Sequence, residues 1–224
     1  MTLTQSPALT RTRDSWHRVA EHVLAAGQFA DAGTIRLRPW PGGLATVRGV
    51  AGRQLAVIGD QLVVLEPNGT RRSTPLTSVR AAAAFAGVRP GLQGSYQPAT
   101  SADPDVPLVV DTAAAQQLAD WYELGDAALR RLADDLGAPQ DPVLWPEHMD
   151  VAITLDAVNY GCSPGDDAIG EPYLYVGPHG GPPQRDDYWN APFGAAVTAD
   201  RIRAVDDAVE FFHHGRSLIP RSAT

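Results

Sequence analysis

Between residues 34 and 65 the sequence alternates short apolar runs with polar and turn-forming residues. Gly59-Asp60 is a two-residue loop of the kind that joins antiparallel strands, and apolar runs lie on both sides of it. Successive side chains of a strand point to opposite faces, so this pattern fits a half-buried sheet and does not fit an amphipathic helix. We predict an antiparallel meander over this region.

Apolar residues recur at helical spacing in four other stretches: residues 14–27, 74–85, 111–136 and 198–214. Asp14 or Ser15 caps the first, and Thr74-Pro75 opens the second. Gly125-Asp126 either kinks or divides the third, and Gly215 ends the fourth. Two further stretches have the composition of strands: residues 151–155 and 173–176. We therefore predict an α+β fold, in which an antiparallel sheet of the meander plus C-terminal strands packs against about four helices.

Two histidines lie in the first of these helices. At 100° per residue, His17 and His22 point in directions about 140° apart. They are therefore expected not to share a ligand, and each is expected to stand alone.

The length of 224 residues fits one domain, and we predict a single unit over residues 1–224. Residues 89–108 are rich in Pro, Gly and Ser and form the one plausible connector. The alternative is therefore a pair of lobes, residues 1–88 and 109–224, joined by this connector.

All 18 basic residues are arginine, and the chain has no lysine. Schiff-base chemistry, including that of a pyridoxal cofactor, needs a lysine amine and is therefore not expected. The formal net charge of -8 disfavours a nucleic-acid partner, because such binding needs a basic face.

No apolar run approaches the roughly 20 residues that cross a bilayer, so no membrane segment is expected. The first ten residues lack the pattern of a signal peptide, and a lone Cys162 cannot form an internal disulfide. These features predict a cytoplasmic protein.

The strongest chemical cluster follows Trp145-Pro146-Glu147. If the strand at residues 151–155 extends backwards, His148 and Asp150 point to the same face. A histidine beside a carboxylate can act as a general base with an orienting partner, or as a metal ligand. We predict these two as catalytic residues; the alternative is a structural hydrogen bond.

Ser163 stands between Gly161 and Gly165, in the spacing of a hydrolase nucleophile elbow. The elbow needs a backbone N–H on the residue after the serine, and Pro164 has none. We therefore interpret this segment as a tight turn. The neighbouring Cys162 is expected to be a buried apolar residue without a catalytic role.

Carboxylates and histidines that could hold a divalent metal cluster in the same part of the sequence: His148, Asp150, Asp166, Asp167 and His179. Such a metal would act as a Lewis acid or would generate a hydroxide. The spacing matches no diagnostic metal motif. The alternative is that the aspartates bind turn amides while the other side chains are solvated.

Aromatic residues flank the loop of residues 177–183, which is rich in glycine and proline. Tyr173 and Tyr175 share a strand face, Trp189 follows the loop, and Trp145 precedes the His148 cluster. Aromatic rings with polar tips beside such a loop often line a ligand pocket. We predict a ligand-binding role for these four residues, with the edge of a core as the alternative.

Four segments together resemble an uncharacterised bacterial protein family of similar length: Trp145-Pro146-Glu147-His148, residues 161–166, residues 171–176 and Trp189-Asn190-Ala191-Pro192. The likeness extends to Ala20-Glu21-His22. No activity is established for that family, so the resemblance implies a single unit and assigns no residue a role.

Three functions remain open from the sequence. The first is a small-molecule enzyme, metal-assisted or not, that uses the histidine and aspartates of residues 145–190. The second is a non-catalytic protein that binds a small molecule in the aromatic pocket. The third is an interaction protein that uses an exposed sheet edge.

Overall fold

A computed structural model describes residues 6–92 and 98–220 of the protein. The helices are α1 (Pro7–Val19), a π-helix (Ala20–Ala25), α2 (Ala26–Ala32), α3 (Val79–Ala86), α4 (Thr112–Asp135), a 3-10 turn (Ala199–Arg201) and α5 (Val205–Leu218). The strands are β1 (Leu37–Trp40), β2 (Gly43–Thr46), β3 (Gln54–Ile58), β4 (Gln61–Leu65), β5 (Arg71–Pro75), β6 (Val143–Trp145), β7 (Asp150–Leu155), β8 (Val158–Ser163), β9 (Tyr173–Pro178) and β10 (Ala195–Thr198). The predicted α+β class with antiparallel pairing is confirmed.

The described chain divides into two compact units. The N-terminal unit contains residues 6–92, 98–123 and Val143–Met149. The C-terminal unit contains Leu124–Pro142 and residues 150–220. The boundary runs through α4, and the described part of the predicted connector, residues 89–92 and 98–108, lies within the N-terminal unit. Each unit is considered by itself below.

The first helix begins earlier than its apolar stripe suggests. Ser6 caps α1, because its hydroxyl accepts a hydrogen bond from the Leu9 amide at 3.1 Å, and Pro7 takes the first helical position. The predicted cap at Asp14 or Ser15 is therefore wrong. The helix continues through the π-helix to α2 and ends at Gly33, whose φ of 67° suits glycine.

The π-helix changes the directions of the two histidines. Its hydrogen bonds span five residues, so the angle per residue is smaller than the 100° of an α-helix. The Nε2 atoms of His17 and His22 lie 3.9 and 4.0 Å from the same Oε2 atom of Glu21. The prediction that the two histidines stand alone is therefore wrong.

The strands of the N-terminal unit lie in the order β6-β1-β2-β3-β4-β5, and every pair is antiparallel. Ile58 pairs with Gln61 across Gly59-Asp60, which confirms the predicted hairpin. The apolar face of this sheet packs on the first helix, and the Trp16 indole donates to the Gly59 carbonyl at 3.0 Å. Complete burial of side chains such as Leu44 and Val57 contributes about 1.5–3 kcal/mol each.

The expected helix start at Thr74-Pro75 is wrong, because these residues end strand β5. Pro75 lies at the edge of the sheet, where the absent N–H costs no ladder bond. The cap of α3 is Ser78, whose hydroxyl accepts from the Ala81 amide at 3.1 Å. Thr74 and Ser78 each have a hydroxyl group that could cap a helix. Because Thr74 pairs within the sheet, the helix begins after Ser78.

In the C-terminal unit β7, β8, β9 and β10 pair in sequence order, all antiparallel. Helix α4 passes through Gly125 without a break, and a Cβ atom there would lie 2.5 Å from Cys162 Sγ. Gly215 does not end the last helix either: α5 continues to Leu218, and the Tyr188 hydroxyl would lie 2.2 Å from a Cβ at Gly215. Both glycines therefore allow another side chain to pack closely against the helix.

None of the helices in the described residues is long and apolar enough to cross a membrane.

Candidate functional site

The prediction that one strand carries both His148 and Asp150 is wrong, because β7 begins at Asp150. The chain turns over residues 146–149, where the Met149 amide donates to the Trp145 carbonyl at 2.8 Å and Met149 has a φ of 55°. Pro146 also lacks the N–H that a strand ladder uses. His148 is exposed in this turn, whereas Asp150 is buried. The two residues fall in different units.

Asp150 is instead part of a carboxylate–phenol pair. The Tyr175 hydroxyl donates to the Asp150 carboxylate, and Gly161 lies under the Tyr175 ring, where a Cβ would approach within 2.3 Å. Burial raises the pKa of Tyr175 well above its ordinary value, and the Asp150 charge raises it further. The phenol therefore stays protonated and acts as a donor.

A second pair lies on the same strand. The Tyr173 hydroxyl donates to Asp166 at 2.6 Å, and burial, followed by this bond, raises the pKa of Tyr173. The other Asp166 oxygen accepts from the amides of Ala168 and Ile169 at 2.7 and 2.8 Å. Asp166 thus shapes the turn after β8, which is the structural alternative that the sequence left open.

The residues predicted to hold a metal do not converge. Asp167 is exposed beyond the end of β8, and His179 Nε2 lies 3.1 Å from the Asn159 amide oxygen. Within residues 6–92 and 98–220, no three His, Cys, Asp or Glu side chains form a group that could hold a metal ion. The predicted set His148, Asp150, Asp166, Asp167 and His179 is therefore not assembled in this part of the chain.

The aromatic residues predicted to bind a ligand make packing contacts. Tyr173 is 5% exposed and Trp189 is 1% exposed, and the Trp189 ring meets Tyr188 edge-on at 5.0 Å. Tyr175 is half-buried, with its ring 6.1 Å from that of Phe193. In the N-terminal unit, the Arg36 guanidinium lies 5.7 Å from the centre of the half-buried Trp145 ring. These contacts are with other side chains of the protein, and a ligand-binding role for the four residues stays a prediction.

Ser163 lies at the end of β8 and is buried, and its hydroxyl accepts from the Gly165 amide at 3.2 Å. Cys162 is completely buried. Burial, and to a smaller extent the Asp150 charge, raises the pKa of this thiol well above its ordinary value. A thiol with a raised pKa and no access to solvent is a poor nucleophile.

A cleft of about 520 Å³ opens in the C-terminal unit, close to the predicted segment. Its walls come from the loop between β8 and β9, the loop before β10, β10 itself, the 3-10 turn and α5: Ile169, Asp187, Tyr188, Asn190, Ala191, Ala196, Val197, Thr198, Arg201 and Phe211. This volume lies within the range of small-molecule sites, about 300–1,000 Å³.

Hydrogen bonds fix the walls of the cleft. The Tyr188 hydroxyl donates to the Phe211 carbonyl at 2.9 Å, which joins the loop to α5. The Asn190 side chain accepts from the Ala196 amide at 2.9 Å and donates to the Ala196 carbonyl at 3.0 Å. Asp186 turns the loop by accepting from the amides of Tyr188 and Trp189. The cleft is thus preformed.

Two charged side chains line the cleft without a protein partner. Arg201 and Asp187 are both exposed, and in the described structure neither makes an ion pair or a side-chain hydrogen bond. Because they do not pair with each other, both charges are available to a ligand. Thr198, beside them, donates its hydroxyl to Asp200 at 2.6 Å. The cleft therefore offers one cationic and one anionic group against an apolar wall.

The sequence gives little signal for this cleft. Residues 198–201 carry a helical pattern of apolar residues that continues into α5, so β10 and the 3-10 turn are hidden by it. The one local signal is Asp186, because an aspartate side chain often accepts from backbone amides about two residues further on and so forms a turn.

Comparison with protein-family models, with curated proteins and with solved structures found no match. The resemblance to a bacterial family therefore stays a prediction.

Proposed function

We propose that the C-terminal unit is a non-catalytic binding module for a small zwitterionic molecule with an apolar body, of the chemical class of the free amino acids. The observation that carries this proposal is the pair of uncompensated charges, Arg201 and Asp187, in a preformed cleft. A ligand carboxylate would meet the guanidinium, and a ligand ammonium would meet the aspartate. Phe211 and Tyr188 would contact its apolar part.

Two features favour binding over catalysis. The described lining of the cleft has no histidine, cysteine or serine, which are side chains that often act as general bases or nucleophiles. The residues predicted as catalytic, His148 and Asp150, do not line the cleft.

The geometry also favours a small molecule over an added strand. The amide and carbonyl of Ala196 point away from β9, and the Asn190 side chain occupies both. A strand that bound to the edge of β10 would need this rung of the ladder. Asn190 therefore blocks the sheet-edge interaction at this position.

Three probes test the proposal by calorimetry or by NMR titration of the full chain: L-phenylalanine, N-acetyl-L-phenylalanine and L-phenylalaninamide. The first carries both charges, the second only the anion and the third only the cation. We expect phenylalanine to bind most tightly. Loss of a charge-assisted hydrogen bond at an exposed site costs about 1 kcal/mol, so each modified probe should bind roughly fivefold more weakly.

Two variants test which charged group of the ligand Arg201 and Asp187 each bind. Arg201→Gln should weaken phenylalanine and its N-acetyl derivative about fivefold and leave the amide unchanged. Asp187→Asn should weaken phenylalanine and the amide instead. Arg203→Gln is the matched control, because Arg203 is exposed on the same segment and does not line the cleft. Equal binding of all three probes, or an equal effect of Arg201→Gln and Arg203→Gln, contradicts the proposal.

A further inference from the structure

The π-helix of the N-terminal unit buries two titratable side chains. Glu21 is 0% exposed and His22 is 2% exposed. Wide turns of this kind often occur at functional positions, because they sacrifice regular hydrogen bonds to aim side chains. The cleft lies in the other unit, so the proposed function gives these residues no role.

Glu21 holds a loop that lies almost eighty residues away along the chain. One carboxylate oxygen accepts from the Ala99 amide, and the other accepts from the Thr100 amide, both at 2.9 Å. The Thr100 hydroxyl donates to the same second oxygen at 2.5 Å. The carboxylate thus binds two consecutive backbone amides of this loop.

His22 completes this arrangement. Its Nε2 lies 2.9 Å from the Thr100 hydroxyl oxygen. A hydroxyl has one hydrogen, and that of Thr100 goes to Glu21, so the His22 Nε2 must be the donor. In the neutral form of His22 the proton therefore lies on Nε2. A second proton would enter at Nδ1, which is buried.

His17 approaches the carboxylate from the other side. Its Nε2 is a buried atom, 3.9 Å from Glu21 Oε2 and without a hydrogen bond in the described chain. Burial lowers the pKa of both histidines, and the Glu21 charge opposes this effect. The Arg13 charge also lowers the pKa of His17 while Asp14 and the Pro146 backbone raise it.

For His22, Arg18 lowers the pKa, whereas backbone groups of Thr100 and Ser101 raise it. The net result of these opposing contributions is a lowered pKa at both rings. The folded arrangement therefore disfavours their protonated forms.

We propose that Glu21, His17, His22 and Thr100 form a proton-operated clasp, which holds residues 98–101 on the π-helix at neutral pH and releases them in mild acid. The pKa of His17 and of His22 is lowered in the closed arrangement. Both rings therefore bind a proton more readily in the open arrangement, where water solvates them. The clasp is therefore closed above about pH 6.5, the ordinary histidine value, and opens as the pH falls below it.

The Ala99 and Thr100 amides report directly on the clasp, because both donate to Glu21. Hydrogen exchange of the full chain should show their protection factors falling about tenfold or more between pH 7.5 and pH 5.0, since each pH unit below the ordinary histidine pKa of about 6.5 favours tenfold the arrangement that binds the proton. The Leu76 amide, which donates to the Asp60 carbonyl in the same unit, should keep its protection. A parallel fall at Leu76 means global unfolding and overturns the proposal.

The double variant His17→Gln, His22→Gln retains side-chain donors but cannot be protonated in this range. Its Ala99 and Thr100 protection should change less than about twofold over the same pH interval. His148→Gln, which changes an exposed histidine of the same unit, should behave like the wild type. A pH response that persists in the double variant, or disappears in His148→Gln, overturns the clasp.

A measurement on the wild type tests the proposal even if the double variant misfolds. NMR titration of the imidazole carbons of His17 and His22 gives the pH at which each ring gains its proton. This midpoint should coincide with the midpoint of the loss of Ala99 and Thr100 protection. Midpoints that differ by more than about one pH unit show that protonation does not open the loop.

Discussion

The two units each bury a carboxylate, but the two carboxylates join different kinds of neighbour. Glu21 accepts from amides and a hydroxyl of a loop 78 and 79 residues further along the chain. Asp150 accepts from Tyr175, which is 25 residues away and lies two strands across the same sheet. The first carboxylate creates a connection that no strand pairing provides, whereas the second stiffens a sheet that ladder bonds already hold. Loss of the first should therefore cost more.

Substitution of the N-terminal carboxylate should have the largest effect. Glu21→Gln removes the buried charge and replaces one carboxylate oxygen by an NH₂ group, which faces donors and leaves at least one of them without its acceptor. We expect the free energy of unfolding in urea at pH 7.5 to fall by about 3 kcal/mol. The control is Glu123→Gln, an exposed change in the same unit, which should alter it by less than about 0.5 kcal/mol. A loss below about 1 kcal/mol would show that the loop is held by other contacts.

The phenol that binds the C-terminal carboxylate should matter less. Tyr175→Phe deletes the hydroxyl and leaves the ring over Gly161, so the Asp150 carboxylate loses one donor. The expected loss of unfolding free energy is about 2 kcal/mol. Tyr173→Phe is the matched comparison, with an expected loss of about 1 kcal/mol, because Asp166 is exposed and keeps its two amide donors. The reverse order would refute the assignment of Asp150 as the buried partner.

The smallest effect is expected at a surface ion pair. Arg130 donates to Asp126 and Asp141, and these bonds raise its pKa against the effect of burial. Its side chain is 45% exposed, so solvent screens most of the interaction. Arg130→Ala should lower the unfolding free energy by about 0.5 kcal/mol, and 1 M NaCl should remove most of the difference. A loss above about 1.5 kcal/mol, or one that salt leaves unchanged, would mean that the pair has a buried role.

Patterns that depend on neighbouring residues predict this fold well. The alternation of residues 34–65 and the Gly59-Asp60 loop fix a meander, because turn type and side-chain period act over a few positions. The errors arise where two local signals compete. Thr74-Pro75 and Ser78 both suit a helix start, and pairing of Thr74 with Leu62 across the sheet decides against the first.

The candidate sites are formed by residues that lie far apart in the sequence, and local sequence patterns do not predict that these residues meet. His17 and Glu21 are four residues apart and would be neighbours on any helix, but the π-helix turns His22 towards the same carboxylate, and Thr100 reaches them from a distant loop. Asp150 and Tyr175 are both found among the predicted site residues, yet their pairing across β8 needs the strand register. The cleft combines a loop, an edge strand and a helix whose boundaries no local signal marks.

The position of β6 in the sequence has a consequence for folding during synthesis. This strand pairs with β1 in the N-terminal unit, but the ribosome makes it only after Leu124–Pro142 of the other unit. Until then β1 has its β2 neighbour and lacks β6. At about 5–20 residues per second, synthesis of this stretch delays completion of the N-terminal sheet by roughly one to four seconds. A fragment that ends at Glu123 lacks β6 altogether, so cutting the chain once cannot yield both units complete.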